Sequence, residues 1–202
     1  MHSRSCSHAF RSQVIEYLRG QPPVLGKGSG IAYFYFAYNE AELIPVSQIL
    51  SSLAAQIIRY LTYPEAGPAM RLFRECDDGT LAATSDKMRD LIILLIKELK
   101  TVYICLDALD ECSSENKVEM LSLIMVLIQE CSNVKVLVSS RTGDAEVREY
   151  LDYSPNITVT ASVLAQDIDL YVRHRIEHGP ERLKRAKSEH MVRRLVNGAE
   201  GM

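Results

Sequence analysis

TVYICLDALDE, residues 101–111, decides how the rest of the chain is read. Residues 102–106 are an apolar run rich in β-branched and aromatic side chains, short and abruptly ended by acids. A strand buried on both faces of a parallel sheet has that composition. Three carboxylates follow at once: Asp107, Asp110 and Glu111. In open α/β sheets the ligand sits at the carboxyl ends of the strands. Acids at that position suit a hydrated Mg2+ and a water polarised beside a nucleotide γ-phosphate. Taken alone, the same residues also read as a strand followed by an acidic turn.

The flanking segments repeat a helix-then-strand grammar. Upstream, residues 84–100 form an expected helix, apolar around much of its circumference through Leu91, Ile92, Leu94, Leu95, Ile96 and Leu99. Such a helix packs deeply. Downstream, residues 115–131 predict a helix with Val118, Leu121, Ile124, Met125 and Ile128 inward, ended near Asn133. Residues 134–139, VKVLVS, read as a further buried strand, with Ser140 and Arg141 at its carboxyl end, on the rim expected to carry Asp107.

ICLDALDEC resembles the extended Walker B segment of NACHT-type STAND P-loop NTPases, in particular the nephrocystin-3-like NTPase domain common in fungal NLR-like proteins. The resemblance implies Asp107 for Mg2+, through water, and Asp110 and Glu111 for the attacking water. Family members often have Gly where this chain has Ala108. The strand-Ser-Arg segment is similar to sensor 1, which would let Arg141 contact a γ-phosphate. Arg141 also fits a helix-flanking or acid-paired residue. ATP or GTP with Mg2+ is the implied ligand, and the implied function is a nucleotide-switched signalling protein with slow hydrolysis.

Nearer the amino end, residues 7–19 predict a helix, with Ala9, Phe10, Val14, Ile15 and Leu18 at helical spacing. FRSQVIEYLRGQ resembles the helix that follows the phosphate loop in the family. No Gly-x-x-x-x-Gly-Lys-Ser/Thr stands before it. Gly26-Lys27-Gly28-Ser29-Gly30 does not substitute: Gly follows the lysine, and the order is helix, loop, strand. A phosphate loop runs strand, loop, helix, with Ser or Thr after the lysine. These residues therefore predict an αβ connection, with Lys27 remote from Asp107. IAYFYF, residues 31–36, is the next expected strand. A helix follows to about residue 61, with Pro45 in its first turn and Ile49, Leu50, Leu53, Ile57 and Leu61 buried. Residues 63–78 read as a short helical connection.

Toward the carboxyl end the expectations are a helix at 144–151, a short strand at 157–160, and helices at 167–178 and 180–196. The segment DIDLY resembles the start of the family's helical lid. The expected architecture is α/β: a three-layer parallel-sheet, P-loop NTPase-like core over residues 1–165 without its phosphate loop, and the start of a helical lid subdomain over 166–202. Both ends read as truncated. In the family, the strand before the phosphate loop lies between the strands matching 134–139 and 157–160. The residues before the first helix are too few for a strand and a loop. Those neighbours are expected to face a gap, which makes the polypeptide marginally stable and unresponsive to nucleotide.

Composition excludes other classes. The net charge of −3 gives no global case for nucleic acid. The basic excess of residues 171–202 reads as a solvated amphipathic helix. No apolar run approaches a membrane span. Five scattered cysteines, Cys6, Cys76, Cys105, Cys112 and Cys131, form no C-x-x-C pair, so neither zinc nor a disulfide framework is expected. A reducing, cytoplasmic setting follows. His174 and His178 are spaced i, i+4 without an H-E-x-x-H context and read as surface residues. Protein partners or self-association are expected, and neither nucleic acid nor membrane. A competing reading is a degenerate scaffold or protein-interaction module that keeps the NTPase fold without its chemistry. It is separated from the first by the phosphate loop.

Overall fold

The computed structural model describes residues 15–18, 28–37, 44–62, 64–76, 81–158, 161–179 and 189–198. Among these residues, apolar runs that alternate with amphipathic helices produce three parallel strands, β1 (Ser29–Tyr35), β2 (Thr101–Asp107) and β3 (Val134–Val138), in the order β1-β2-β3. Ser29 pairs with Thr101 and Tyr35 with Asp107, while Val102 pairs with Val134 and Leu106 with Val138. The fold is therefore α/β with a parallel sheet, and the strand that carries the first acid is its centre.

Successive side chains on a strand face opposite ways. Ala32, Phe34 and Phe36, with Val102, Ile104 and Leu106 and with Val134, Val136 and Val138, build the main core. The helices that fill it are α1 (Val46–Ile58), α3 (Ser85–Lys97) and α4 (Ser114–Glu130). A shorter helix, α2 (Gly67–Glu75), leads into α3. The opposite face gathers Ile31 and Cys105 with Ile15, flanked by Leu18, Tyr33 and Tyr103. On β3 that second face is open to solvent: Leu137 is 47% exposed, and the Lys135 ammonium lies 5.6 Å from the centre of the Tyr103 ring.

Helix starts follow local chemistry. The Thr84, Ser113 and Asp144 side chains accept the N–H groups of Lys87, Asn116 and Val147 at the starts of α3, α4 and α5 (Ala145–Leu151). Such caps satisfy donors that a helix start leaves orphaned. Asn133 does more than end α4. Its amide donates to the carbonyls of Ile96 and Leu99, at 2.8 and 2.7 Å, and so closes the end of α3. On the side of β1 away from β2 a side chain meets the backbone: Gln56 on α1 accepts the Tyr33 N–H at 3.1 Å and donates to the Tyr33 carbonyl at 2.9 Å. One amide there stands in for a neighbouring strand and blunts the edge.

Several expectations are corrected. Leu94 is 46% exposed and Ile128 also 46%, whereas Met120, Leu123 and Leu127 are buried. In α4 the apolar residues surround the helix, so periodicity alone does not select the buried face. The expected strand at 157–160 is not formed over its described part: residues 155–158 have no regular structure, Ile157 is 88% exposed, and 159–160 lie outside the described residues. Among the described residues, β3 has β2 as its strand neighbour. The expected helix at 7–19 is described only over 15–18, which is helical.

The chain divides into two compact units, with the boundary between Tyr153 and Ser154. The sheet and α1–α5 belong to the first. In the second, α6 (Ala161–Glu177) begins earlier than expected, and α7 (Glu189–Gly198) packs against it. Ile176 and Val192 are their buried residues among those described. No helix among the described residues is long and apolar enough to cross a membrane.

Candidate functional site

β2 delivers Asp107 to the carboxyl rim, and β3 delivers Ser139 beside it. The Ser139 hydroxyl donates to Asp107 Oδ1 at 2.6 Å and accepts the Ala108 N–H at 2.9 Å. The Ser139 backbone joins the same turn: its N–H donates to the Leu106 carbonyl at 3.0 Å, and its carbonyl accepts the Leu109 N–H at 2.9 Å. Asp107 is buried at 4% exposure, held in place by a neutral hydroxyl.

Ala108 turns the chain sharply, with φ 58° and ψ 47°. This left-handed conformation costs an L-residue roughly 1–2 kcal/mol and costs Gly little. That is the physical reason a Gly suits this position. The turn opens a short 3-10 helix, Leu109–Glu111, which presents Asp110 and Glu111 on the rim while Leu109 enters the core.

Arg141 meets these acids from the loop after β3. Its Nε lies 3.0 Å from Asp110 Oδ2, its guanidinium 3.9 Å from Glu111 Oε1, and its N–H donates to Asp110 Oδ1 at 3.2 Å. The Arg141 side chain is 76% exposed. All four residues singled out in the sequence thus share one rim, and Arg141 is acid-paired there. Lys27 lies outside the described residues. Its neighbour Gly28 has φ 85°, and its carbonyl accepts the Lys100 N–H at 2.8 Å, at the amino end of β1 and β2. The length of β2, about 20 Å at 3.3 Å per residue, separates that end from Asp107.

Nearby titratable groups are tuned by burial. Burial pushes the Cys105 thiol up to about 11, with the Asp107 charge adding to it, so this cysteine stays a protonated core residue. Tyr35, paired in register with Asp107, is raised by burial and then by Tyr33 and Asp107. Among the described residues, no group of three or more His, Cys, Asp and Glu is arranged to hold a metal by itself.

The nephrocystin 3 N-terminal family matches residues 9–141, about two-thirds of the chain. The chain belongs to this family. The match runs from before the first described helical turn through Arg141, so the whole rim lies within the nephrocystin 3 N-terminal region. No curated protein and no solved structure matches the chain.

Two further residues were not singled out in the sequence. Ser139 reads there as the end of an apolar strand. Its signal is positional: a hydroxyl closing a parallel strand beside one that ends in a carboxylate. Lys117, in the first turn of α4, is buried.

Proposed function

We propose that these residues form the acid-and-arginine half of a nucleoside triphosphate site in a STAND-type, nucleotide-switched signalling protein. The observation that carries the reading is the convergence of Asp107, Asp110, Glu111 and Arg141 at the carboxyl ends of two adjacent parallel strands. The donor set fits Mg2+: carboxylate and hydroxyl oxygens on the sheet rim are hard ligands, and Mg2+ takes one or two carboxylates together with water and phosphate oxygens. Asp107 would hold the ion, steadied by Ser139. When bound, Mg2+ supplies neutralisation of phosphate charge. Asp110 and Glu111 would orient a water. Arg141 would exchange its carboxylate partners for a γ-phosphate, a planar donor set meeting a like geometry.

Hydrolysis by this polypeptide is expected to be weak or absent. Gly-x-x-x-x-Gly-Lys-Ser/Thr does not occur in its 202 residues, and that loop makes most phosphate contacts. The same observation favours the second reading, a scaffold or protein-interaction module that retains the fold. A melting experiment with and without Mg·ATP or Mg·GTP, paired with a turnover assay, tests the proposal. The expected result is a melt that nucleotide barely moves and turnover at or near background. Vigorous hydrolysis, or a rise of many degrees, would mean that phosphate is gripped by residues other than those named here.

A further inference from the structure

Lys117 is a buried cation that the rim chemistry does not use. Its ammonium lies 2.7 Å from Asp144 Oδ2 and 2.9 Å from Glu146 Oε2, and the Lys117 and Asp144 side chains keep only 9% and 7% of their exposure. A buried lysine needs such partners to stay charged. Asp144 is more than a counter-ion. Its Oδ1 accepts the Val147 N–H at 3.0 Å and starts α5, and its own N–H donates to the Arg141 carbonyl at 3.2 Å. Arg141 in turn donates its N–H to Asp110.

The loop 139–144 is thus fixed at both ends. Ser139 is bonded to the β2 turn, and Asp144 is clamped to α4 by Lys117. Between these posts Arg141, Thr142 and Gly143 are exposed, with one further tether from the Arg148 guanidinium to the Thr142 carbonyl at 2.7 Å. α4 starts just after Glu111, so one helix anchors both the acids and the loop that faces them.

We propose that Lys117 is a positioning residue: by clamping Asp144 to α4 it holds the loop 139–144 so that Arg141 faces Asp110 and Glu111. An ordinary stabilising ion pair would strengthen the whole domain alike, whereas this one acts on a single loop. Its consequence for γ-phosphate sensing rests on the nucleotide reading above; the clamp itself does not.

Amide hydrogen exchange on the folded 202-residue chain, without nucleotide, tests the clamp separately from that reading. In Lys117→Met the Arg141 and Asp144 amides are expected to exchange about tenfold faster or more, while the Ile104 and Leu106 amides of β2 keep their wild-type rates. If Lys117→Met does not fold, Asp144→Ser serves instead. It keeps an oxygen to cap Val147 and removes the carboxylate that Lys117 grips. Unchanged exchange at Arg141 and Asp144, or the same acceleration at β2 as in the loop, overturns the proposal.

Discussion

Lys117 with Asp144 and Glu146, and Arg141 with Asp110 and Glu111, are each one cation against two carboxylates, and the loop 139–144 joins them. The first is dry at its core: the Lys117 and Asp144 side chains, 2.7 Å apart, are at most 9% exposed, and Glu146 at 2.9 Å lies on its outer side at 34%. The second is wet on its cationic side: Arg141 is 76% exposed, at 3.0 and 3.9 Å from its partners. Water decides what each can do. A buried pair pays desolvation once, on folding, and then resists separation. An exposed pair contributes little and exchanges partners readily. The dry cluster is suited to holding a loop, and the wet one to meeting a ligand.

The largest effect expected from this contrast is on Lys117. Lys117→Met leaves two carboxylates facing an apolar side chain, and a broken buried pair is worth roughly 3–5 kcal/mol. The loop 139–144 takes most of that loss by opening to water, so it shows in loop opening and only a small share reaches global unfolding. Amide exchange at Asp144 checks it. An acceleration under about fivefold, about 1 kcal/mol, would place the dry cluster in the class of surface pairs.

Acid should reproduce part of that loss without mutation. Burial raises the Asp144 pKa, but the hydrogen bonds from Lys117 and the Val147 N–H outweigh it, so the net shift is below the ordinary 3.8. A carboxylate depressed in the folded state contributes stability that is fully present above its unfolded value and lost as pH falls through its folded value. For Lys117, burial lowers and the hydrogen bonds to Asp144 and Glu146 raise, with a net shift above 10.5. Its contribution is fully present below 10.5 and lost as pH rises through the folded value. Melting temperature followed from pH 6 downward should therefore fall below about pH 4 more steeply in wild type than in Asp144→Ser. Parallel curves would remove Asp144 from the cause.

The smallest stability effect belongs to the rim. Arg141→Ala should change unfolding free energy by no more than about 1 kcal/mol, because its side chain is mostly solvated. A chemical melt that drops by several times that amount would show the rim pair to be structural, erasing the contrast.

The central strand and its acids were legible because a parallel strand buried on both faces leaves an unmistakable apolar run, and because its acids follow without a break. Arg141 was legible for the same reason, one strand over. The caps Thr84, Ser113 and Asp144 obey local rules. What stayed hidden was non-local. Lys117 looks solvated until Asp144, 27 residues away, is seen against it, and Gln56 reaches Tyr33 across 23 positions. The face of α4 was misassigned at Val118 and Ile128, both exposed, because a helix apolar on nearly every side has no single stripe. Residues 157–160 carry the β-branched composition of a strand, yet over 155–158 no strand forms.

Whether the carboxyl rim of β2 and β3 meets a triphosphate is settled by NMR titration of the chain with Mg·ATP and Mg·GTP, with the diphosphates as controls. Weak, fast-exchange shifts centred on the Ala108, Glu111 and Arg141 amides are expected. They should be larger for triphosphate than for diphosphate and diminished in Arg141→Ala. Spectra unmoved at the rim up to millimolar nucleotide, or shifts centred instead at the amino end near Gly28 and Lys100, would contradict the proposal.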